Sequence, residues 1–350
     1  MKATGEGKRF ILAACLIGLA ALNTGNNLIY LILSLMLAFI VISLALLRLN
    51  LAGLALRLSV PHPVFAGEAS LVSLSVINSR ERLPAYSLRL APGDAAFSAE
   101  PAYCGVIEPL SVSEVHPRVV FQRRGYFRET AFVIDSGFPF LLFRRKITAA
   151  APSGILVYPA LLEDIERLPE GSAAGDGRDF RFMGRGDELH SLREYRYGDD
   201  LRRIHWKASA KTRNLMVREY AEHQSARVSV VLDNRTDAYG VDGGGDGSPI
   251  IQDETFEKAV SLAGSVARHF LDAGFPVRLL SCRKTVPFGS GAEHLFTILD
   301  VLAVVRKEDA WEGPEPSGRD GISILVTGSR RNALSLPAGQ GDTVLYAADI

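Results

Sequence analysis

Two apolar runs at the N-terminus constrain this chain more than anything that follows them. Phe10 to Leu22 carries no charge, and Leu28 to Leu47 is interrupted only by Tyr30, Ser34 and Ser43. Crossing a bilayer core takes roughly 20 apolar residues, so the second run is long enough alone. The first reaches that length only by taking Asn23 and Thr24 into the interface. Between them, Asn23-Thr24-Gly25-Asn26-Asn27 is uncharged and turn-forming. The pattern predicts a transmembrane helical hairpin over residues 1–50. A cleaved signal peptide would leave the run from Leu28 unexplained. A lipoprotein box at Leu12-Ala13-Ala14-Cys15 has only Phe10 and Ile11 between it and Arg9, too little for a targeting core.

Charge sets the expected orientation. Lys2, Lys8 and Arg9 precede the first run, Arg48 and Arg57 follow the second, and the connection has no Lys or Arg. The positive-inside rule then places both termini and everything after about Arg48 in the cytoplasm, on a two-pass membrane protein. Cys15, Cys104 and Cys282 show no metal-ligand spacing and no disulfide framework, which fits a reducing compartment. The 39 Lys and Arg balance 39 Asp and Glu, so no whole-protein attraction to nucleic acid is implied.

Two soluble parts are expected beyond the hairpin. Residues 51–150 read as an antiparallel β-sandwich-like module. Leu56–Val60 and Leu71–Ile77 alternate apolar with polar, and further strands are expected at 86–90, 113–121, 126–134 and 140–147. Pro61, Pro63, Gly67, Asn78, Pro84, Pro92 and Gly93 punctuate them. This module reads as a spacer or scaffold. Residues 151–224 connect it to the rest, with a strand at Ile155–Tyr158 and a Gly-rich loop over 168–186. Residues 225–350 then alternate strands (228–232, 276–281, 322–327, 343–347) with helices (256–270, 292–305). That βαβ rhythm predicts an α/β domain with an open, mostly parallel sheet.

The connecting segment holds the densest motif, Arg193 to Glu219, REYRYGDDLRRIHWKASAKTRNLMVRE. Gly198 permits a turn, and Asp199 or Asp200 can cap a helix starting near Leu201. Leu201, Ile204 and Ala208 share one face of that helix, and Arg202, His205 and Ser209 another. Trp206 and Lys207 fall outside the inner stripe, which suits a binding surface of an aromatic flanked by cations. The candidate protein-binding residues are Arg193, Tyr195, Gly198, Asp199, Asp200, Arg202, Ile204, Trp206, Lys207, Ser209, Arg218 and Glu219. The alternative is an internal scaffold: Arg193, Arg202 and Arg218 paired with Asp199, Asp200 and Glu219 around a core Trp206. A hydrolase built on His205 and Ser209 lacks oxyanion donors and a nucleophile elbow. Nucleic-acid binding through Tyr195, Tyr197 and Trp206 is opposed by the interspersed acids. No phosphate-loop motif is present.

The hairpin with Asn27-Leu28-Ile29-Tyr30, the β module and the string R-E-Y-x-x-G-D-D-x-R-x-I-x-W-K-x-S-A resemble the bacterial family called domain of unknown function 58. Leu215-Met216-Val217-Arg218-Glu219 followed by Val230-Val231-Leu232-Asp233 extends the likeness. The resemblance implies a von Willebrand factor A-like fold for the C-terminal domain. As partner it implies a MoxR-type AAA+ ATPase, or other von Willebrand A proteins. A Mg²⁺-binding von Willebrand A domain carries Asp-x-Ser-x-Ser after its first strand. Here that string is Asp233-Asn234-Arg235-Thr236-Asp237: the leading Asp233 is the candidate metal ligand, with Asp237 sharing the ion and Thr236 or Asn234 assisting. The structural alternative is Asp233 paired with Arg235 or capping the following loop. Arg235 is a donor and cannot coordinate a cation. The expected function is that of a non-enzymatic membrane adaptor without cofactor or, as alternative, of a Mg²⁺-dependent binding module using Asp233.

Overall fold

The computed structural model describes residues 1–162, 189–195, 206, 209–210, 215–220, 227–239, 249–314, 321–328 and 343–349. Gly198, Asp199, Asp200, Arg202, Ile204 and Lys207 lie outside them, as do the Gly-rich segment over 168–186 and the expected helix start near Leu201. The chain divides into two compact units, Met1–Ala160 and Leu161–Ile350.

The first unit opens with a short strand, β1 (Lys2–Ala3), and two helices, α1 (Gly5–Thr24) and α2 (Asn27–Asn50). The Thr4 hydroxyl accepts the Gly7 N–H at 3.0 Å and caps α1, which therefore starts before the apolar run rather than at Phe10. Gly25 ends α1 in the left-handed region (φ 60°), where a side chain would be strained. Asn26 then caps α2 by accepting the Leu28 N–H at 2.9 Å. Two residues thus reverse the chain. Among the described residues, α2 is the one helix long and apolar enough to cross a bilayer.

Eleven strands follow: β2 (Leu54–Ser59), β3 (Val64–Phe65), β4 (Ala69–Leu71), β5 (Ser73–Asn78), β6 (Ala85–Pro92), β7 (Phe97–Ala99), β8 (Ala102–Ile107), β9 (Val112–Val115), β10 (Arg118–Phe121), β11 (Gly125–Ser136) and β12 (Phe143–Tyr158). They form a sheet in the order β1-β12-β11-β6-β8, with β3 parallel to the end of β12, and two three-stranded antiparallel sheets, β4-β10-β7 and β2-β5-β9. The buried positions of all three belong to one core, with Leu74, Leu88, Phe121, Phe132 and Ile134 at its centre. Phe97 packs its ring 5.9 Å from Phe121 and 5.1 Å from Phe132.

Three differences from the sequence reading have local causes. The expected strand 113–121 is two strands in different sheets, because the segment around Pro117 breaks the ladder. The expected strand 71–77 likewise divides at Val72 into β4 and β5. The strands expected at 140–147 and 155–158 are one strand, β12, so the module runs past residue 150 and the unit closes at Ala160.

The last two turns of α2 are part of this core. Leu47 is fully buried with Leu51 in the same cluster. Asn50 is buried, donates to the Tyr86 carbonyl at 2.8 Å and to the Ser136 hydroxyl at 3.0 Å, and accepts the Tyr86 N–H at 2.8 Å. One amide therefore ties the helix end to β6 and β11.

The second unit contains a two-stranded antiparallel sheet, β13 (Leu189–Glu194) with β14 (Met216–Tyr220), and a five-stranded sheet. The latter comprises β15 (Val228–Leu232), β16 (Val277–Leu280), β17 (Thr285–Gly289), β18 (Ile322–Thr327) and β19 (Thr343–Tyr346), in the order β17-β16-β15-β18-β19. All neighbours are parallel except the edge strand β17. Strand β15 is buried at every position, as a central parallel strand must be. The helices α3 (Pro249–Asp272) and α4 (Ala292–Val304) supply Val260, Ala263, Val266 and Leu302 to the buried set. Val231, Leu280 and Leu325 form a further cluster under Trp311 and Val344.

Replacing Asn50 by Ala strands the Tyr86 N–H in a buried site and should cost about 1–3 kcal/mol. Thermal melting of the full chain in detergent should show the loss, and an unchanged midpoint would contradict the role given to this amide.

Candidate functional site

Two places in the second unit hold the residues singled out by the sequence. The first is the charged motif. Its ends lie on one ladder: Arg193 is opposite Val217, Leu192 opposite Arg218 and Ser191 opposite Glu219. The Tyr195 N–H donates to the Leu215 carbonyl at 2.7 Å, so the chain leaves and returns at one point. Tyr195 is half-buried there. Trp206 and Ser209 both have helical backbone but opposite environments. Trp206 is 67% exposed, so it is not the core residue of the scaffold alternative. Ser209 is buried, and its hydroxyl accepts the Met216 N–H at 2.8 Å. The helical segment therefore ties to β14 through Ser209, a candidate binding residue that the structure buries.

The second place is the C-terminal edge of the parallel strands. Strands β16 and β18 flank β15 on opposite sides, so the strand order reverses at β15. In open α/β sheets the crevice beyond the strand ends at such a point is where ligands bind. Asp233 follows β15 directly, and Thr327 ends β18. The Asp233 N–H donates to the Val326 carbonyl at 2.9 Å, extending the ladder by one bond.

Asp233 is fully buried and its carboxylate is held in a fork. Arg235 donates through Nε to Oδ1 at 2.9 Å and through a terminal nitrogen to Oδ2 at 2.9 Å. Thr327 approaches Oδ2 at 3.5 Å, and Arg235 also reaches Asp237 at 3.4 Å. The Tyr239 hydroxyl, from the 3₁₀ turn Thr236–Tyr239, donates to the Asp233 carbonyl at 2.7 Å. The pairing with Asp233 raises the Arg235 pKa further against the opposing effect of burial.

Asn234, also buried, ties in the neighbouring loops. It donates to the Arg306 carbonyl at 2.6 Å and accepts the Cys282 N–H at 2.9 Å. The Glu308 N–H donates to the Asn234 carbonyl at 2.9 Å, and the Thr236 N–H returns to the Glu308 carbonyl at 2.8 Å. Burial, reinforced by the Asp233 charge, pushes the Cys282 thiol up to about 11. The sequence singled out Asp233, with Asn234 only as an assistant at a metal. The structural roles of Asn234 and Thr327 depend on partners far along the chain, and that of Tyr239 on the 3₁₀ turn that brings it back to Asp233.

The residues present do not fit a divalent cation at Asp233. Both carboxylate oxygens already accept from a guanidinium, and a metal would have to displace a bound cation at close range. Among the described residues, no three His, Cys, Asp or Glu side chains converge on one point.

Both places lie within one segment that other proteins share. Residues 191–336 match the family described as Protein of unknown function DUF58. This segment is a DUF58 domain. The domain thus takes in β14, the motif and the sheet through β18. Uncharacterized protein YeaD of Bacillus subtilis is 26% identical over 149 residues, which is 39% of this chain and 33% of that protein. The chain therefore spans only about a third of the curated relative it matches. A FixG-related protein from Vibrio parahaemolyticus aligns along its whole length with 30% of this chain, at 11% identity and a TM-score of 0.19. That likeness is too slight to define a fold.

Arg235→Ala should cost about 3 kcal/mol, since it leaves a buried carboxylate uncompensated. Asp237→Asn, at an exposed partner, should cost less than about 0.5 kcal/mol. Equal effects in urea unfolding would show that the fork is not structural. Thiol reagents at pH 8 should leave Cys282 and Cys104 untouched until the protein unfolds. An unfolded thiol ionises near 9.0, before the buried one. The contribution of Cys282 to stability is therefore intact below pH 9 and falls as pH rises toward about 11. Rapid labelling of the native protein would contradict this.

Proposed function

We propose that the chain is a non-enzymatic adaptor or scaffold of the bacterial inner membrane. In this reading α1 and α2 cross the bilayer as a hairpin with both termini and both soluble units in the cytoplasm. The Arg193–Glu219 motif and the α/β domain, read as von Willebrand factor A-like, then dock a protein partner. The observation that carries this is Trp206, a large aromatic two-thirds exposed in a motif whose ends are clamped by a strand pair. An exposed Trp beside Arg and Lys has the composition of an interface anchor. The resemblance names the partner class: a MoxR-type AAA+ ATPase or another von Willebrand A protein.

Two competing readings meet specific obstacles. A Ser209 nucleophile is buried with its hydroxyl committed to the Met216 N–H. A Mg²⁺-dependent module using Asp233 would need Arg235 to vacate both carboxylate oxygens. The orientation rests on Lys2, Lys8, Arg9 and Arg48 flanking the helices, against a reversal at Gly25–Asn26 with no charge.

Crosslinked purification from native membranes tests the proposal, comparing wild type with Trp206→Ala. The variant should melt within about 0.5 kcal/mol of wild type, because an exposed side chain contributes little to folding. Capture of an AAA+ ATPase by wild type, lost in the equally stable variant, is the expected result. Equal capture by both would remove the motif as a docking surface.

A further inference from the structure

The loop between β11 and β12, Gly137-Phe138-Pro139-Phe140-Leu141-Leu142, is apolar throughout yet only partly covered. Phe140 is 45% exposed and Leu141 is 56% exposed. Leu141 sits at φ 56°, a conformation that costs a side-chain-bearing residue about 1 kcal/mol or more. The Leu141 backbone is bonded within the fold, but the strain leaves more than half of an apolar side chain exposed, which points to a contact outside the fold.

The loop is docked against the membrane helices. The Phe140 ring lies 4.8 Å from that of Phe39, on the flank of α2. The Thr4 hydroxyl donates to the Leu141 carbonyl, and Thr4 N–H to the Leu142 carbonyl at 3.0 Å. Gly7 permits this approach, because a Cβ there would overlap the Leu142 carbonyl oxygen. The loop is therefore wedged between the start of α1 and the side of α2.

Its height is set by the pairing of the two helices. Gly18 faces Leu33, so Arg9 and Ile42, equally far along their helices from that crossing, stand at about one level. Charge on α1 and burial of Ser43 on α2 both begin there. The bare stem from Leu28 to Ile42 is then only about 22 Å long, against an apolar core of about 30 Å. Phe39 lies inside that stem, and Leu46 and Leu49 remain exposed on the far face of α2 beyond it. A missing depth of about 8 Å is what an interfacial segment covers when it sits at the headgroup–acyl boundary. Exposed cations surround the loop on the same side: Lys2, opposite Arg144 on the β1–β12 ladder, and Lys8 on α1. Arg144 is half-engaged by Asp135 at 3.3 Å, and Glu6 is taken by Arg9 at 2.9 Å.

We propose that the β11–β12 loop is a membrane wedge. Phe140 and Leu141 sit in the cytoplasmic headgroup–acyl boundary beside α2, with Lys2, Lys8 and Arg144 set against anionic phospholipid headgroups. The wedge completes the hydrophobic thickness that the two-helix stem lacks. It also fixes the β module to the bilayer surface at a second point. The inference rests on α2 crossing the bilayer, and its test separates the two.

An environment-sensitive fluorophore is placed on Leu141→Cys, and separately on Leu35→Cys, each in a Cys15→Ser background. The buried Cys104 and Cys282 stay unlabelled. The full chain is reconstituted in vesicles containing phosphatidylglycerol, with quenching lipids carrying a shallow or a deep doxyl group. The Leu35 probe should be quenched most by the deep lipid. The Leu141 probe should lose about two-fold of its emission, most strongly to the shallow lipid. A Leu141 probe that stays water-like while the Leu35 probe is quenched overturns the wedge and leaves the span intact. If both stay water-like, the span is wrong and the wedge falls with it. Exchanging phosphatidylglycerol for phosphatidylcholine should weaken quenching at Leu141 and not at Leu35. Unchanged quenching at Leu141 would overturn the role of the cations.

Discussion

Everything in the first unit depends on how α2 ends. An apolar helix joined to a soluble module by a flexible linker would leave the module free to tumble. Here the helix runs directly into the module's core: Leu47 and Leu51 belong to the same buried cluster as Phe121 and Ile134. Asn50 closes the junction by satisfying both backbone groups of Tyr86. A buried amide with all these partners is costly to move, since every displaced group is stranded away from water. The last turns of α2 therefore serve as a core element of the β module, and whatever holds the helix holds the module.

A corresponding lock organises the second unit. The crevice at the strand-order reversal of an open α/β sheet is usually where chemistry is placed, and here it is filled by side chains that satisfy one another. Arg235 supplies the positive charge that Asp233 needs, and Asn234 stitches the loops after β15, β16 and α4 together. Among the described residues, the domain keeps the strand order of an open α/β sheet while the polar groups at its switch point bond to one another.

Much of this was legible in the sequence, and the exceptions have physical reasons. The apolar runs, the turn at Gly25 and Asn26, and the buried strand at Val228–Leu232 follow from length and local residue chemistry. Strand β12 was not legible as one strand, because Ala149 to Gly154 combines low β-propensity with Pro152. Its continuity comes from pairing with β11 across a bulge between Phe127 and Glu129. Strand β17 was hidden by Pro287 and Gly289, which an edge position tolerates. At the sites, the Asp233–Arg235 pairing was legible because its partners are close in sequence. The roles of Asn234, Thr327 and Ser209 were not, since each depends on a partner brought near only by the tertiary fold or the β13–β14 ladder.

The continuity of α2 with the β module is tested most directly by amide hydrogen exchange on the full chain in lipid bilayers, read residue by residue from Leu28 to Ser59. The structure predicts slow exchange through the helix and into β2, with Leu47 to Leu51 protected to the same order as the strands of the core they share, while the exposed turn at Ala52 and Gly53 exchanges freely. Fast exchange reaching back through Leu47–Leu51, between a protected helix and a protected β2, would mean a hinge rather than a shared core, and would contradict the coupling on which the rest depends.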